Sequence, residues 1–394
     1  MKELTIFTSE SITAGHPDKL CDQVSDAIVD HFLARDPLST VDAECAVASG
    51  ILFLSVHYAS SANLNLAAIA RNVIGEAGYP KSVFDAHNCS VMTSIKDQSG
   101  QASPVDLEVL DDAGLDRVTA RQQVTVFGYA CDQTAAMMPL PIWLAHRLAE
   151  RMDSAETFKK IPYLLPDGKT QVAIGYRDGK ILGVSGINLV ASLTESSSAD
   201  LEQLRGDLIR HVVRPVLKKE SLKIDEELVS VNPEGLLIGG GPAMHSGLTG
   251  RKTGMDTYGG YCRQSGAALS GKDPLRIDRV GAYIARYAAK NIVAAGLARE
   301  CELQLSYSPG SAAPLGIEVQ TFGTGAIEER EIVSRLREVF DFRLGAIVRD
   351  LRLRQLPSEG KQSGFYKRLA SYGQMGRVDL DVPWEQTDKA KALK

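Results

Sequence analysis

The segment Gly15 to Lys19 reads Gly-His-Pro-Asp-Lys and places an imidazole, a carboxylate and an ammonium group side by side. Pro17 suits the first position of a helix, so His16 would lie at the helix mouth. Unpaired amides and the helix dipole favour an anion there, and the carboxylate of Asp18 could share a divalent cation with it. The pattern therefore indicates a phosphate site, although the same residue types also form ordinary helix caps.

A second cluster, Gly266 to Asp273, follows the phosphate-loop pattern up to its last position. Asp273 stands there in place of the Ser or Thr that would bind magnesium, and no buried strand precedes the segment. We therefore do not expect a true phosphate loop. Lys272 still follows a glycine and precedes an Asp-Pro pair, which indicates phosphate binding at a helix start. Asp278 falls on the helix that follows.

A third cluster, Gly247 to Lys252, reads Gly-Leu-Thr-Gly-Arg-Lys. Its glycines would let backbone amides approach an anion, and Arg251 and Lys252 supply two positive charges. A surface turn with a solvated Arg-Lys pair is the alternative interpretation. Three such clusters in a chain of net charge −5 are explained together by one polyphosphate ligand.

Acidic residues recur every four positions along the helix that follows Gly15 to Lys19. They are Asp18, Asp22, Asp26 and Asp30. This spacing puts the four carboxylates on one face of a helix. Most such stripes are solvated, so we expect most of these side chains to lie at the surface.

Composition limits the class of protein and its partners. The chain has 394 residues, 44% of them hydrophobic, with 44 basic and 49 acidic side chains. This balance predicts a compact multidomain protein without a field that attracts nucleic acid or an anionic membrane. No apolar run approaches the roughly 18 residues of a membrane span, and the start lacks a signal peptide. We expect a cytoplasmic location, and six scattered cysteines that stay reduced and serve packing.

Helices and strands, predicted from the spacing of apolar residues, must position these clusters. Strands and helices mix without regular alternation, which favours an α+β fold. The strand at 51–58 is so apolar that we expect it to be buried on both faces. A polar, acidic stretch between Ser99 and Arg121 predicts a linker or loop, a first domain boundary and a candidate gate over the site. The predicted helices span 18–34, 63–77, 200–217, 276–297 and 328–340, and the strands 51–58, 123–129, 171–176, 181–193, 302–307 and 316–322.

These clusters and several further segments resemble S-adenosylmethionine synthetases, also called methionine adenosyltransferases. The similarity runs through Phe-Thr-Ser-Glu-Ser at 7–11, the three clusters above, Asp-Thr-Tyr-Gly-Gly at 256–260 and Pro-Trp-Glu at 383–385. The resemblance implies an α+β subunit of three domains with similar βαβ-type topology and pseudo-threefold symmetry. The domains would span 1–103, 116–234 and 235–384. It also implies a dimer or tetramer with active sites at a subunit interface.

The resemblance further implies displacement at C5′ of ATP by a thioether sulfur, with release of phosphate and diphosphate. Two Mg²⁺ ions and a K⁺ ion would assist as cofactors, and Asp18 and Asp278 match the magnesium positions while Glu44 matches the potassium position. His16, Lys169, Arg251, Lys252 and Lys272 match the catalytic residues that hold the triphosphate. The ATP-binding set adds Glu10, Lys19 and Asp167.

On the acceptor side the chain departs from the family pattern. Two acidic positions that hold the substrate ammonium in the family correspond to His57 and His245, which suit a cation poorly. Arg276 replaces a lysine that faces the substrate carboxylate, and an arginine can hold a carboxylate with two hydrogen bonds. Gln98 matches the family, whereas Gln122 lies in a changed segment. Acidic neighbours such as Asp106 or Glu108 could compensate, and a shifted alignment would explain the differences as well.

These residues leave four hypotheses about the function open. The first is an adenosyltransferase that acts on methionine. The second is the same chemistry on a thioether carboxylate that lacks the α-ammonium group, such as a keto or hydroxy acid. The third is a triphosphate hydrolase that no longer alkylates sulfur. The fourth is a regulatory paralogue without activity, which retention of His16, Asp18, Lys272 and Asp278 disfavours.

Overall fold

A computed structural model describes residues 4–100, 105–359 and 364–394 of the chain. Its strands, numbered β1 to β12, are Leu4–Ile12, Thr40–Ala48, Ile51–Ala59, Ser90–Asp97, Val124–Cys131, Leu164–Arg177, Lys180–Leu193, Val229–Val231, Leu237–Ile238, Gly247–Leu248, Glu300–Tyr307 and Gly316–Gln320. They form three sheets, which we name A, B and C. Helices pack against these mainly antiparallel sheets, in agreement with the predicted α+β class.

The α-helices, numbered α1 to α13, are Pro17–Arg35, Leu66–Glu76, Asp112–Leu115, Leu140–Met152, Ala155–Lys160, Leu201–Leu208, Arg214–Lys219, Thr253–Asp256, Ile277–Ala294, Glu329–Val339, Leu344–Asp350, Leu356–Glu359 and Phe365–Leu369. A π-helical turn, Ile209–Val213, joins α6 to α7. Short 3₁₀ turns lie at Leu107–Val109, Glu226–Leu228, Gly241–Ala243 and Pro383–Glu385. None of these helices is long and apolar enough to cross a membrane.

Sheet A has the strand order β1-β6-β7-β8, with β9 beside β7. Strands β6 and β7 form a hairpin, and its turn residues Asp178 and Gly179 both have positive φ, as a tight turn between twisted strands requires. β1 pairs with β6 from Leu4 opposite Arg177 to Ile12 opposite Lys169. Helix α4 covers this sheet, and a separate apolar core lies between them.

Sheet B has the order β10-β2-β3-β4, and α1 covers one face of it. The strand predicted at 51–58 is confirmed as β3, but it is not buried on both faces. Leu52, Leu54 and Val56 are buried, whereas Ile51 is 49% and Phe53 42% exposed. The side chains alternate because α1 covers only one side of the sheet. The uncovered side is called the outer face of sheet B below.

Sheet C has the order β12-β11-β5 and packs on α9. Helix α9 is buried along almost its whole length, and it carries charged side chains into the interior. Arg286 and Lys290 both contact Glu385, the acid of the Pro-Trp-Glu segment. Sheets B and C share one apolar core with α1 and α9. The first and last thirds of the chain therefore form one packed body.

Most predicted elements are present within three residues of their expected ends. The exceptions are β6, which begins at Leu164 instead of residue 171, and the helix at 200–217, which contains the π-helical turn. Strands β1, β2 and β4 and helix α4 were not predicted. The predicted boundary at residue 103 lies outside the described residues. Beyond it, Leu107 and Leu115 are buried and Arg354 donates to the carbonyl of Val105. Residues 105–121 thus pack against the last third of the chain.

Candidate active site

The segment Gly15 to Lys19 forms the start of α1 as predicted. Pro17 is the first helical residue, and the Nδ1 atom of the cap residue His16 accepts a hydrogen bond from the Asp18 amide at 3.2 Å. The third cluster lies directly against this helix start. A Cβ atom at Gly247 would overlap the carbonyl group of Pro17, so only glycine permits the approach.

Two cations of the third cluster converge on Asp18. Its Oδ2 lies 3.6 Å from Nζ of Lys252, and its Oδ1 lies 3.8 Å from Nη1 of Arg251. The amide of Leu248 donates to Oδ1 at 3.0 Å. Asp18 is buried, while the side chains of Arg251 and Lys252 reach solvent. These cations are therefore free to move toward an anion at the helix mouth.

A second carboxylate, Asp167 on β6, lies beside His16. Its Oδ2 accepts hydrogen bonds from the Gly241 amide at 2.8 Å and from Nε2 of His245 at 2.7 Å. The rings of His16 and His245 are 4.9 Å apart. Lys169 follows on the same strand, is exposed, and contributes positive potential at His16. We call His16, Asp18, Asp167, Lys169, His245, Arg251 and Lys252 the helix-mouth group.

Burial controls the charge of His16. Removal from water lowers its pKa to about 4, against the opposing attraction of Asp167 and Asp18. His16 is therefore neutral near pH 7. Because Nδ1 accepts the Asp18 amide, the hydrogen of the neutral ring is on Nε2. His16 can thus donate one hydrogen bond into the pocket without carrying a charge.

Lys272 of the second cluster contacts β2 near the start of that strand, and Arg276 and Asp278 lie beside it. Lys272 forms a β-bridge with Asp42, and its Nζ is 3.3 Å from Oδ2 of Asp278. Nη1 of Arg276 contacts Oδ2 of Asp42 at 2.7 Å. His57 is directly opposite Asp42 on β3. Burial lowers the pKa of Lys272. We call Asp42, His57, Lys272, Arg276 and Asp278 the strand-end group.

The two groups are apart within one chain. The third cluster meets β2 where Leu248 pairs with Ala46, and the second cluster meets it where Lys272 pairs with Asp42. At the usual rise of about 3.3 Å per residue, these points are about 13 Å apart. No hydrogen bond or ion pair among the described residues joins the groups. One subunit therefore presents two incomplete sets of site residues.

The other predicted site residues take separate places. Glu10 is exposed on β1, and Glu44 is exposed on the outer face of sheet B. Gln98 lies just after β4, where its amide donates to the Tyr58 carbonyl, and Gln122 lies partly buried just before β5. None of these four joins either group through a hydrogen bond or ion pair in the described part of the chain.

Lys19 is placed differently from the prediction. The residue is 1% exposed, and its ammonium group contacts Asp22 at 2.9 Å and also Asp256. Two carboxylates thus surround it inside the protein. This geometry argues against the predicted contact between Lys19 and ATP and makes the side chain part of the interior.

The expectation of a solvated acidic stripe on α1 is wrong. All four aspartates are buried, and each accepts a backbone amide from a segment between residues 248 and 367. Asp18 accepts Leu248, Asp22 accepts Gly250, Asp26 accepts Gly271, and Asp30 accepts Tyr366 and Lys367. Asp26 also pairs with Arg279 at 2.6 Å. The stripe holds the glycine-rich clusters in position.

Asp42 is a candidate site residue that the sequence reasoning missed. Its carboxylate neutralises Arg276, which was predicted to face a substrate carboxylate. The signal that could have found it is its spacing from Glu44, since alternate residues of a strand share a face. Because β2 was not predicted, that spacing had no meaning in the sequence.

Comparisons with known proteins cover the whole chain. Models described as the N-terminal, central and C-terminal domains of S-adenosylmethionine synthetase match residues 4–100, 117–237 and 239–386. An S-adenosylmethionine synthase of Rippkaea orientalis is 44% identical, with 100% of this chain and 97% of the relative covered. One of Thermosynechococcus vestitus is 45% identical, with 98% and 97% covered.

Proposed function

The chain belongs to the S-adenosylmethionine synthetase family and is an enzyme, and from this premise we propose that it joins the sulfur of a thioether to C5′ of ATP. A sulfur lone pair forms the S–C5′ bond while the C5′–O bond breaks and its electrons pass to the triphosphate. The products are an S-adenosyl sulfonium and triphosphate, which water then cleaves to phosphate and diphosphate. Methionine is the default acceptor.

The observation that carries this proposal is the helix-mouth group. Arg251 and Lys252 flank the start of α1 at Asp18, and Lys169 lies near His16. Positive charge is therefore concentrated where the leaving triphosphate gains charge, which is the kind of electrostatic stabilisation that lowers such barriers most. His16, neutral with hydrogen on Nε2, donates to the departing oxygen without transferring a full proton.

Two Mg²⁺ ions and a K⁺ ion fit the donor chemistry of the predicted residues. Oδ2 of Asp278 is buried and its only polar side-chain contact among the described residues is Nζ of Lys272 at 3.3 Å, so this oxygen could also bind a hard cation. Asp18 offers a second buried carboxylate, and Glu44 offers an exposed one for K⁺. When bound, Mg²⁺ would neutralise charge on the triphosphate oxygens. Lys272, beside Asp278, would bind the same anion.

A complete site requires two subunits. The helix-mouth and strand-end groups lie at different points along β2, so a twofold partner across the outer face of sheet B would bring one group of each subunit together. A cross-strand row of Leu248, Ala46, Phe53 and Met92 supports this face as the interface, since three of these four side chains are exposed apolar groups. We propose a dimer, or a tetramer built from such dimers.

The pseudo-threefold relation of the domains is part of the same proposal. Sheets A, B and C are covered by α4, α1 and α9 respectively. Each sheet thus has one long helix packed against it, which is the arrangement that a threefold repeat would give. A threefold repeat explains why the chain uses three long helices of this kind for a single site.

A second acceptor class is favoured by His245. This imidazole occupies the pocket beside Asp167 and uses the Oδ2 atom that would otherwise attract an ammonium group. A thioether keto or hydroxy acid has no ammonium and needs no such anion. Asp42 argues for methionine, because it is a partly exposed carboxylate at the strand-end group. The kcat/KM values of methionine and of its 2-oxo and 2-hydroxy analogues decide between these acceptors.

The variants His245→Asp and Asp42→Asn sharpen that comparison. If the acceptor lacks an ammonium, H245D shifts the ratio of kcat/KM toward methionine, and D42N leaves the ratio unchanged. If methionine is the acceptor and Asp42 binds its ammonium, D42N lowers kcat/KM for methionine by about 100-fold, the cost of an unpaired buried charge. A preference for methionine in the wild-type enzyme rejects the keto and hydroxy acids.

Mass spectrometry of products tests the proposed reaction. ATP, Mg²⁺ and K⁺ are incubated with a panel of thioethers, and an S-adenosyl sulfonium is the expected product. The matched control is Lys272→Met, which should form that product more than about 100-fold more slowly. Fast triphosphate hydrolysis without any sulfonium would identify a hydrolase. Absence of both reactions would identify a regulatory paralogue.

A further inference from the structure

We propose that His16, Asp167 and His245 bind one divalent transition-metal ion, with Zn²⁺ as the representative, in the nucleotide-free protein. This site differs from the magnesium and potassium sites above in its residues and in its donor atoms. The proposal does not rest on adenosyl transfer, since it concerns binding of a metal ion alone.

The three side chains meet from distant parts of the chain. His16 caps α1, Asp167 lies on β6, and His245 follows the 3₁₀ turn Gly241–Ala243. One ligand atom of each lies within 4.8 Å of the other two. Two ligands bound at about 2.1 Å to a tetrahedral zinc ion are about 3.4 Å apart, so a pair at the upper limit of 4.8 Å would close if its two side chains together moved about 1.4 Å.

The donor set determines which metal fits. Two imidazole nitrogens and one carboxylate oxygen suit zinc, cobalt, nickel or ferrous iron, whereas Mg²⁺ prefers oxygen ligands throughout. Three protein ligands leave further coordination positions for water. The side chain of His245 is 38% exposed, which gives an ion a path from solvent. The chemistry therefore indicates a borderline metal rather than a second magnesium ion.

Asp167 supplies an independent indication of a missing ligand. The residue is 4% exposed, and its Oδ1 accepts no hydrogen bond from the described residues. Its other oxygen already accepts two. A buried carboxylate oxygen without a partner is costly, and a cation between the two imidazoles would satisfy it.

Metal binding requires a change of tautomer at each histidine, and at His16 it gives up the hydrogen bond that Nδ1 accepts from the Asp18 amide. Nε2 of His16 becomes a ligand when the ring hydrogen moves to Nδ1, which lies 3.9 Å from Oδ2 of Asp18. A carboxylate beside the second nitrogen is the usual neighbour of a metal-bound histidine. For His245 the hydrogen moves from Nε2, which now donates to Asp167, to Nδ1 on the more open side of the ring. No proton is gained or lost by the rings.

Titration of the chelator-treated full chain with Co²⁺, without nucleotide or magnesium, tests this site. We expect one Co²⁺ ion per chain with visible absorption bands of low coordination number, and Zn²⁺ should displace it. His245→Asn and Asp167→Asn should each weaken binding by more than about 100-fold, beyond the range typical of residues around a metal site. His87→Asn, which removes an exposed histidine elsewhere, is the matched control and should bind as the wild type does.

Wild-type protein without Co²⁺ bands, or H245N that binds Co²⁺ as tightly as wild type, overturns the proposal. Loss of binding in H87N overturns it as well, since the ion would then lie at a surface histidine. Circular dichroism establishes that each variant is folded. If D167N does not fold, H245N alone decides, because His245 is partly exposed and its replacement leaves the interior unchanged. Sulfonium formation is not measured, so failure here and failure of the proposed reaction are distinct.

Discussion

At the scale of residues, the buried carboxylates of α1 connect catalysis to stability. Asp18 and Asp22 accept amides from the third cluster, and Asp26 accepts Gly271, next to Lys272. Each hydrogen bond fixes a loop whose neighbouring cation belongs to the candidate site. The same burial raises the pKa of Asp22 to about 6 and raises that of Asp26. The position of the loop at Gly250 therefore depends on a carboxyl group, Asp22, whose pKa lies closer to neutral pH than that of an ordinary aspartate.

Asp30 gives a prediction about pH. Burial raises its pKa from 3.8 to about 7, against the two amides that it accepts and with Asp26 and Arg279 as charged neighbours. A folded-state pKa above the unfolded value means that the contribution of Asp30 to stability is fully present below about pH 4 and is lost as pH rises through 7. Between pH 6 and 8 the wild type should lose about 1 kcal/mol more unfolding free energy than Asp30→Asn.

Urea denaturation at both pH values measures this difference. D30N should be less stable overall, because an amide nitrogen would face one of the two backbone donors, yet its stability should depend less on pH. Glu338→Gln, an exposed replacement, is the control and should keep the wild-type pH dependence. If the stability of D30N and that of the wild type depend equally on pH, the raised pKa of Asp30 is contradicted.

At the scale of elements, sheet B has one face on the core and one face uncovered. The row of Leu248, Ala46, Phe53 and Met92 crosses all four strands of the uncovered face. A flat apolar face of this kind is stable in water when another protein surface covers it. The proposed twofold partner is the covering surface that also completes the site.

Phe53→Glu should convert the dimer to a monomer. The charge would be placed at the centre of the interface on both subunits, at a cost of several kcal/mol, so the dissociation constant should rise by more than about 100-fold. Size-exclusion chromatography with light scattering measures the mass, and sulfonium formation should fall in parallel. Val378→Glu, on another exposed apolar residue, should stay dimeric and active. A dimeric F53E variant would place the interface elsewhere.

Elements that are specified by local sequence signals could be predicted, whereas elements that depend on tertiary contacts could not. The start of α1 was predictable because Pro17 and its polar neighbours are a local signal. β2 and β4 carry polar residues among the apolar ones, and their pairing with β3 comes from tertiary contacts. The apolar run of β3 predicts burial on both faces, because composition records apolarity and not which surface covers the strand. Likewise, the aspartates of α1 find their amide partners more than 200 residues away.

At the scale of the whole molecule, the candidate residues divide into two groups that a single chain does not join. Family motifs identified members of both groups, but the sequence did not show that the groups meet β2 at separate points. The two groups are separated because the third cluster contacts β2 at Ala46, whereas the second cluster contacts it at Asp42. This separation makes each active site a composite of two chains if the proposed dimer forms.

Subunit mixing tests this composite site. Lys252→Met and Lys272→Met should each be nearly inactive, since each lacks one cation for the triphosphate. After the two variants are refolded together, half of the dimers are mixed, and each mixed dimer has one intact site. Activity should recover to about one quarter of wild type. Arg251→Met mixed with K252M should recover nothing, because both changes lie in the same group. Native mass spectrometry confirms that subunits exchanged, and exchange without recovery would contradict the composite site.

The four aspartates of α1 also set an order for synthesis of the chain. The ribosome makes α1 early in synthesis. The backbone amides that donate hydrogen bonds to its buried carboxylates belong to residues 248–367, which are made later. Before those residues are made, the apolar side chains of α1 and its carboxylates are exposed to water. Strand β1 likewise has no pairing partner until β6 has been made. We therefore expect the N-terminal third to become stably folded only after residues 248–367 have been made.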